Sequence, residues 1–212
     1  MSSSESKVNN KIKNKYKNKH PMSRRIRGFY PVVIDIETTG LDSKRHGILE
    51  ISAVLLTCDK SDDKNINLNL KVLEQHDYFI TPHAASDIDP KALEINKTDL
   101  HSPGRVFIEQ KEKDVLLNLF ENIKKQMKKH DCKRAVLVAH NAAFDQGFLN
   151  EAINRCDLKS RSPFHPFSVI DTVSLGALKY GQTVLSEICK ASGLDFNASE
   201  AHSAKYDASK TA

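Results

Sequence analysis

The sequence lacks any apolar run long enough to cross a membrane. No stretch approaches the roughly eighteen consecutive apolar residues that a spanning helix needs, and the N-terminus has no hydrophobic segment of the signal-peptide kind. Its four cysteines lie far apart, at positions 58, 132, 156 and 189, without the paired spacing of zinc or thiol-exchange sites. These absences argue against a membrane or secreted protein, and we expect a cytoplasmic protein with reduced thiols.

The composition is that of a soluble globular domain: 39% of the 212 residues are hydrophobic and 28% are charged. The net charge of +5 suits a polyanionic partner but does not prove one. Residues 1–23 are rich in Ser, Asn and Lys and offer little to bury. We therefore predict a disordered basic arm over residues 1–23, followed by one domain over residues 24–212.

The first half of the domain reads as three strands. Residues 30–41 form an apolar run that ends in a glycine turn, and residues 47–58 and 71–81 are two further strand candidates. Short connections between them predict an antiparallel meander.

The second half of the domain alternates between strand and helix patterns, which predicts an α/β domain. We predict a strand over residues 134–139 and a proline-bracketed loop over residues 163–167. Helices are predicted from residue 90 and over residues 109–130, 148–156, 171–180 and 182–191, with a last helix from about residue 201.

Two carboxylates stand near the end of the first strand. Because strand side chains alternate between faces, Asp35 and Glu37 project from the same face, about 6.6 Å apart along the chain. Two neighbouring buried carboxylates repel each other and call for a cation, and Mg²⁺ is a hard ion that prefers oxygen ligands. A solvated strand end is the alternative that an isolated Asp-x-Glu leaves open.

Two further places hold candidate catalytic groups. Asp145 follows the strand of residues 134–139, and His202 precedes Asp207 by five residues. That separation puts the two about 140° apart on a helical wheel, so we expect His202 in the turn before the last helix.

These motifs resemble a known family when taken together. Asp35-Ile-Glu-Thr-Thr-Gly40, Ala139-His-Asn-Ala-Ala-Phe-Asp145 and His202-Ser-Ala-Lys-Tyr-Asp207 look like the three motifs of DEDD 3′→5′ exonucleases, in the histidine-containing branch. Outside the motifs, residues 27–34, 150–167 and 181–186 are most similar to the ribonuclease T family. The resemblance implies a ribonuclease H-like fold with a mixed five-stranded sheet flanked by helices, a homodimer, and two Mg²⁺ ions per subunit.

The resemblance also implies roles for the motif residues. Asp35 would bridge both ions, Glu37 and Asp207 would hold one of them, and Asp145 would support the other through water. His202 would lie at the metal site as the general base. The implied activity is 3′→5′ exoribonuclease trimming of short 3′ overhangs on structured RNAs, especially tRNA, with release of nucleoside 5′-monophosphates.

The resemblance further implies a set of substrate-binding residues. Phe144 and Phe167 match base-stacking positions, whereas Leu41 and Ile95 stand where the family has phenylalanine, so we expect a weaker grip on the last two nucleotides. A basic surface of one subunit would hold RNA whose 3′ end enters the other subunit. The candidates for that surface are Arg25, Arg27, Lys128 and Arg134.

Two alternatives stay open at the level of sequence. The first is a DNA 3′ exonuclease of the repair or proofreading type, acting on single-stranded DNA, because contact with the 2′-hydroxyl leaves no sequence pattern. The second is an inactive RNA-binding remnant: the five intact catalytic positions argue against it, whereas the short segment after Asp207 argues for it. Since the family's last helix runs further than these five residues, we expect Asp207 to be less firmly held.

Overall fold

The computed structural model describes residues 19–59 and 69–212. Within these ranges two short 3₁₀ turns, Pro21–Arg24 and Ile26–Gly28, precede the sheet. The strands are β1 (Phe29–Thr38), β2 (Ile48–Thr57), β3 (Lys71–Thr81), β4 (Gln110–Lys111), β5 (Arg134–Ala139) and β6 (Phe164–Asp171). The helices are α1 (Pro90–Ile95), α2 (Pro103–Ile108), α3 (Glu112–Lys129), α4 (Ala142–Arg155), α5 (Thr172–Tyr180), α6 (Leu185–Ser192) and α7 (Ala204–Thr211).

The strands form one mixed sheet in the order β4-β3-β2-β1-β5-β6. As predicted, β1, β2 and β3 form an antiparallel meander, and β5 and β6 run parallel to β1. The sheet described here has six strands rather than five, because Gln110 and Lys111 add a two-residue strand beside Ile80 and Thr81. This architecture confirms the predicted α/β class.

The prediction of a proline-bracketed loop over residues 163–167 is wrong, because β6 begins at Phe164. Proline cannot donate to a strand ladder and is tolerated at edges or irregular positions. β6 is the last strand of the sheet order, and its pairing with β5 shifts register between Ala135 and Leu137. Pro166 therefore fits a strand that local sequence signals describe as a loop.

The core lies around β1, which is buried along most of its length. Tyr30 is fully buried, and its hydroxyl donates to the carbonyl of Leu56 at 2.6 Å. Helix α3 covers the sheet with the helical stripe of side chains that its sequence predicts; among those fully buried are Val115, Leu116, Leu119 and Ile123. The helix begins at Glu112, three residues later than predicted.

The predicted boundary of the basic arm at residue 23 is too far along the chain. His20, Met22 and Ser23 are buried, and the backbone N–H of His20 donates to the Asp131 carboxylate at 2.9 Å. The ring of His20 packs edge-on against that of His130. These residues belong to the domain, whereas the rest of the predicted arm, residues 1–18, lies outside the described residues.

Candidate metal centre

The end of β1 carries two half-buried carboxylates on one face. Asp35 and Glu37 alternate with the buried Ile34 and Ile36, so both carboxylates leave the sheet on the same side. Helix α7 brings in a third carboxylate, because buried Ala204 and Ala208 pack it onto β1 and β2 with Asp207 in its first turn.

Asp35, Glu37 and Asp207 each offer one carboxylate oxygen, and these three oxygens lie within 4.8 Å of one another. In the described parts of the chain, no other group of three or more His, Cys, Asp or Glu residues has this geometry. All three donor atoms are oxygens. Mg²⁺ and Mn²⁺ prefer oxygen ligands, whereas softer metals prefer nitrogen or sulfur.

Burial makes this negative charge costly. It raises the pKa of Glu37 to about 9, with a further rise from Asp35 and Glu50. Burial likewise raises the pKa of Asp35 to about 8, and the neighbouring Asp207 and Glu50 add to the rise. The pKa of Asp207 is raised by burial and partly lowered by a hydrogen bond from His202. A divalent cation would offset this repulsion, so the three residues fit a metal site.

Metal binding is expected to strengthen with pH because the cation must displace protons from these carboxylates. The folded-state pKa values of about 8 and 9 lie well above the ordinary value near 4. We expect Mg²⁺ affinity to rise about tenfold or more between pH 7 and 8.5 and to level off above about pH 9. Titration calorimetry in two buffers of different ionisation enthalpy would measure both the affinity and the protons released. An affinity that does not change with pH would contradict the assignment.

Asp145 lies behind the cluster rather than in it. Its side chain is buried, close to the backbone N–H of Ile36 on β1. Burial raises its pKa well above the usual range, and the charge of Asp35 adds to the rise. The sequence predicts a helix only from residue 148, but α4 already begins at Ala142 and contains Asp145. The helix begins early because the carboxylate of Asp171 accepts hydrogen bonds from the N–H groups of Asn141 and Ala142.

His202 lies in the turn before α7, as its spacing from Asp207 predicts. Its backbone is left-handed, with φ of 64°, and its N–H donates to Asp207 Oδ2 at 3.1 Å. The imidazole is exposed and is not a member of the three-carboxylate group. This arrangement leaves the ring accessible beside the carboxylates.

With this geometry in place, comparison with known proteins decides the family. The sequence model of the RNase_T exonuclease family matches residues 32–212. The chain belongs to this family. Ribonuclease T from Marinobacter nauticus is 47% identical over 193 residues, which are 91% of this chain and 83% of that protein. This confirms the resemblance to ribonuclease T-like DEDD exonucleases and the prediction of a hydrolytic 3′→5′ exoribonuclease.

Solved structures agree on the fold. Escherichia coli exonuclease I in complex with a dT13 oligonucleotide superposes with a TM-score of 0.63 at 16% identity, over 86% of this chain and 39% of that one. Exonuclease I from Methylocaldum szegediense gives a TM-score of 0.61 at 17% identity, over 86% and 38%. This chain thus spans about two fifths of the length of these proteins, and they support the ribonuclease H-like fold.

Three of the four stacking positions implied by the ribonuclease T family lie on elements near the end of β1. Leu41 follows β1 and is 82% exposed, and Ile95 on α1 is 55% exposed. The side chain of Asn96 donates to the carbonyl of Thr38 at 3.0 Å, which fixes α1 beside the strand end. Phe144 is half-buried and packs on Phe148 at a ring distance of 4.9 Å. It is therefore partly a core residue.

The fourth stacking position, Phe167, lies at the other end of the sheet. Its ring is 76% exposed and contacts His165, which contacts Phe29 at the start of β1. Phe29 precedes Asp35 by six residues, or about 20 Å of strand. One chain therefore does not bring Phe167 beside its own carboxylates.

Cationic side chains surround this same end of the sheet. Arg27 and Lys133 lie close to the Phe29 ring, at 5.3 and 5.7 Å from its centroid. Arg134 starts β5 and donates to the carbonyl of Phe164 at 3.1 Å. We call Arg27, Lys133, Arg134, His165 and Phe167 the basic-aromatic surface. Arg25 lies half-buried just before it, and Lys128 lies in the last turn of α3.

Sequence reasoning missed two residues next to the centre, Glu50 and Arg105. Glu50 interrupts the apolar run of β2, opposite Glu37 in the register. Arg105 lies on α2, which was not predicted although Ser102 and Pro103 form a recognisable helix start. A charged residue inside a buried strand was the available signal for Glu50.

Finally, no helix among residues 19–59 and 69–212 is both long and apolar enough to cross a membrane.

Proposed function

We propose that the protein is a cytoplasmic, Mg²⁺-dependent 3′→5′ exoribonuclease that trims short 3′ overhangs of structured RNAs, tRNA in particular. The observation that carries this proposal is the cluster of Asp35, Glu37 and Asp207 beside an exposed His202, in a chain of the RNase_T exonuclease family. A cluster of this kind suits hydrolysis of a phosphodiester at an accessible strand end.

Asp35, Glu37 and Asp207 would hold the divalent cations, with two Mg²⁺ per subunit as the family resemblance implies. Bound cations would supply an acidified water and stabilise the charge on the phosphate oxygens. The His202 imidazole would take the proton from the attacking water, a role that suits its exposed position next to Asp207. The water oxygen would bond to phosphorus as the bond to the 3′ oxygen of the preceding nucleotide breaks, and that oxygen would take a proton from solvent water. A nucleoside 5′-monophosphate leaves, and the RNA keeps a 3′-hydroxyl.

Leu41, Ile95 and Phe144 would cover the terminal bases. Aromatic rings stack on bases with about 1 to 3 kcal/mol per base, and an aliphatic side chain offers less stacking surface. The exposed Leu41 and Ile95 therefore predict a loose hold on the last two nucleotides.

The double variant Leu41→Phe, Ile95→Phe is expected to bind RNA more tightly. A stacking gain of about 1 kcal/mol corresponds to a KM about fivefold lower. We also expect sharper discrimination between RNAs that end in cytosine and those that end in adenine. Steady-state trimming of the two RNAs by the wild type and by the variant measures this discrimination. If the ratio of the two trimming rates is the same in both proteins, the role of these positions is contradicted.

Phe167 lies at the end of the sheet away from the carboxylates. This location supports a homodimer in which one subunit binds the RNA that the other subunit cleaves. In such a pair, Phe167, Arg25 and Arg27, with Lys128 and Arg134, would hold RNA whose 3′ end enters the partner's carboxylate centre. Sedimentation velocity at micromolar concentration should then show a dimer. A monomer that trims RNA at full rate would refute this arrangement.

The direction and product of the reaction test the proposed function. An RNA hairpin with a short 3′ overhang is labelled at its 5′ end in one sample and at its 3′ end in another. We expect a shortening ladder from the first and immediate release of a labelled nucleoside 5′-monophosphate from the second. The matched DNA hairpin tests the alternative substrate, and faster trimming of DNA would overturn the assignment to RNA.

A further inference from the structure

Strand β2 adds a fourth carboxylate next to the proposed metal centre. Glu50 pairs with Glu37 across the antiparallel β1–β2 ladder. Residues in direct register point to the same face with Cβ atoms about 4.5 to 5.5 Å apart, and like charges there are destabilising. The Glu50 side chain is nevertheless only 17% exposed. Such a burial needs compensation from other groups.

Arg105 supplies one part of this compensation. Its side chain is 6% exposed, and Nη1 lies 3.9 Å from Glu50 Oε1. Nη2 donates to the carbonyls of Leu49 at 3.0 Å and Ile80 at 3.2 Å. Glu109 lies 3.5 Å away from Nε. Two carbonyls from neighbouring strands therefore fix the guanidinium before it meets Glu50.

The other contact of Glu50 reaches the helix that carries Asp207. The backbone N–H of Ala204, the first residue of α7, faces the Glu50 carboxylate closely enough to oppose the rise that burial causes in the pKa of Glu50. The first N–H groups of a helix have no partner within it, and a carboxylate there also complements the helix dipole. Asp207 follows Ala204 by three residues, which is less than one helical turn.

Strand β3 holds the same helix by a different set of contacts. The side chain of Gln75 donates to the carbonyl of Lys205 at 2.8 Å, and the Lys205 ammonium lies 3.4 Å from Asp77. Lys205 is 71% exposed, so its ion pair is screened by solvent and contributes little. Of the two carboxylates that contact α7 from β2 and β3, Glu50 is the more buried.

We propose that Glu50 is a positioning residue, clamped by Arg105, that fixes the N-terminus of α7 and thereby holds Asp207 against Asp35 and Glu37. The inference deepens the proposed function and rests on it. Residues that orient metal ligands typically affect metal affinity or activity by about 10- to 100-fold when they are changed.

The test compares Glu50→Ala with Glu50→Gln. Alanine removes both contacts, whereas glutamine keeps an oxygen that can accept from the Ala204 N–H. We expect Glu50→Ala to weaken Mg²⁺ binding about tenfold in titration calorimetry and to lower kcat about 10- to 100-fold, with KM for RNA within about twofold. Glutamine should restore most of the Mg²⁺ affinity. Circular dichroism of each variant reports folding.

Asp77→Ala is the matched control, because it also removes a carboxylate that contacts α7. It should leave Mg²⁺ affinity within about twofold, since its only direct contact with α7 among the described residues is the exposed Lys205 ion pair, and its other partners, Ser52 and Gln75, lie on β2 and β3. Three results would overturn the inference: a Glu50→Ala protein with unchanged Mg²⁺ affinity, an equal loss in Asp77→Ala, or a glutamine variant as weak as the alanine variant. If the wild type binds Mg²⁺ but trims no RNA, the proposed function fails while calorimetry still tests the role of Glu50.

Discussion

Replacing Asp35 by asparagine is expected to abolish trimming, with kcat/KM falling by about 10³-fold or more. Asp35 is one of the three clustered carboxylates, with Glu37 and Asp207. Its charge also acts on the buried Asp145. Its loss removes a ligand at the point where the charge of the phosphate must be stabilised. Single-turnover trimming of a 5′-labelled RNA hairpin in Mg²⁺ measures the effect.

A loss of folding would not explain this result, because the same change should stabilise the metal-free protein. The raised pKa values mean that the folded state binds more protons than the unfolded state between about pH 4 and 9. Stability of the metal-free wild type therefore falls as pH rises through this window. The asparagine side chain carries no charge, so the metal-free melting temperature of Asp35→Asn at pH 9 should equal or exceed that of the wild type.

The exposed Asp195 offers a matched control for Asp35. Asp195→Asn makes the same chemical change outside the three-carboxylate group and should trim RNA within about twofold of the wild-type rate. An Asp35→Asn protein that keeps more than a tenth of the wild-type activity would contradict the metal-centre assignment.

Replacing His202 by asparagine is expected to lower kcat by about 10²- to 10⁴-fold, the usual contribution of a general base. Asparagine is chosen because His202 has a φ of 64°, and asparagine adopts this left-handed conformation more readily than alanine. The backbone N–H that donates to Asp207 is thereby kept.

The Mg²⁺ affinity of this variant distinguishes a general base from a metal ligand as the role of His202. Because the imidazole is outside the three-carboxylate group, Mg²⁺ binding by His202→Asn should stay within about threefold of the wild type while kcat collapses. A loss of Mg²⁺ affinity that matches the loss of kcat would instead make His202 a metal ligand.

Local patterns predicted much of the fold. The alternation of apolar residues around Asp35 and Glu37 predicted that both carboxylates share a face, and the spacing of His202 and Asp207 predicted the turn before α7. Asp89 followed by Pro90 correctly marked the start of α1, where the Asp89 side chain accepts from the Lys91 N–H. Each of these features depends on neighbours within a few residues in sequence.

The features that sequence reasoning missed depend on distant partners. The start of α4 is capped by Asp171, the last residue of β6. Arg105 contacts Glu50 only after α2 packs on the sheet. Phe144 and Phe167 are assigned as base-stacking residues from the family resemblance alone. In the structure Phe144 packs partly into the core while Phe167 is exposed, because burial depends on tertiary contacts that a motif does not encode.

The most direct test of the central claim is to incubate the protein with a 3′-overhanging RNA hairpin, with and without Mg²⁺, beside Asp35→Asn. We expect stepwise, Mg²⁺-dependent shortening that stops near the duplex and is absent from the variant. RNA that stays bound but intact in Mg²⁺ would contradict the claim and would identify the chain as an RNA-binding protein without nuclease activity.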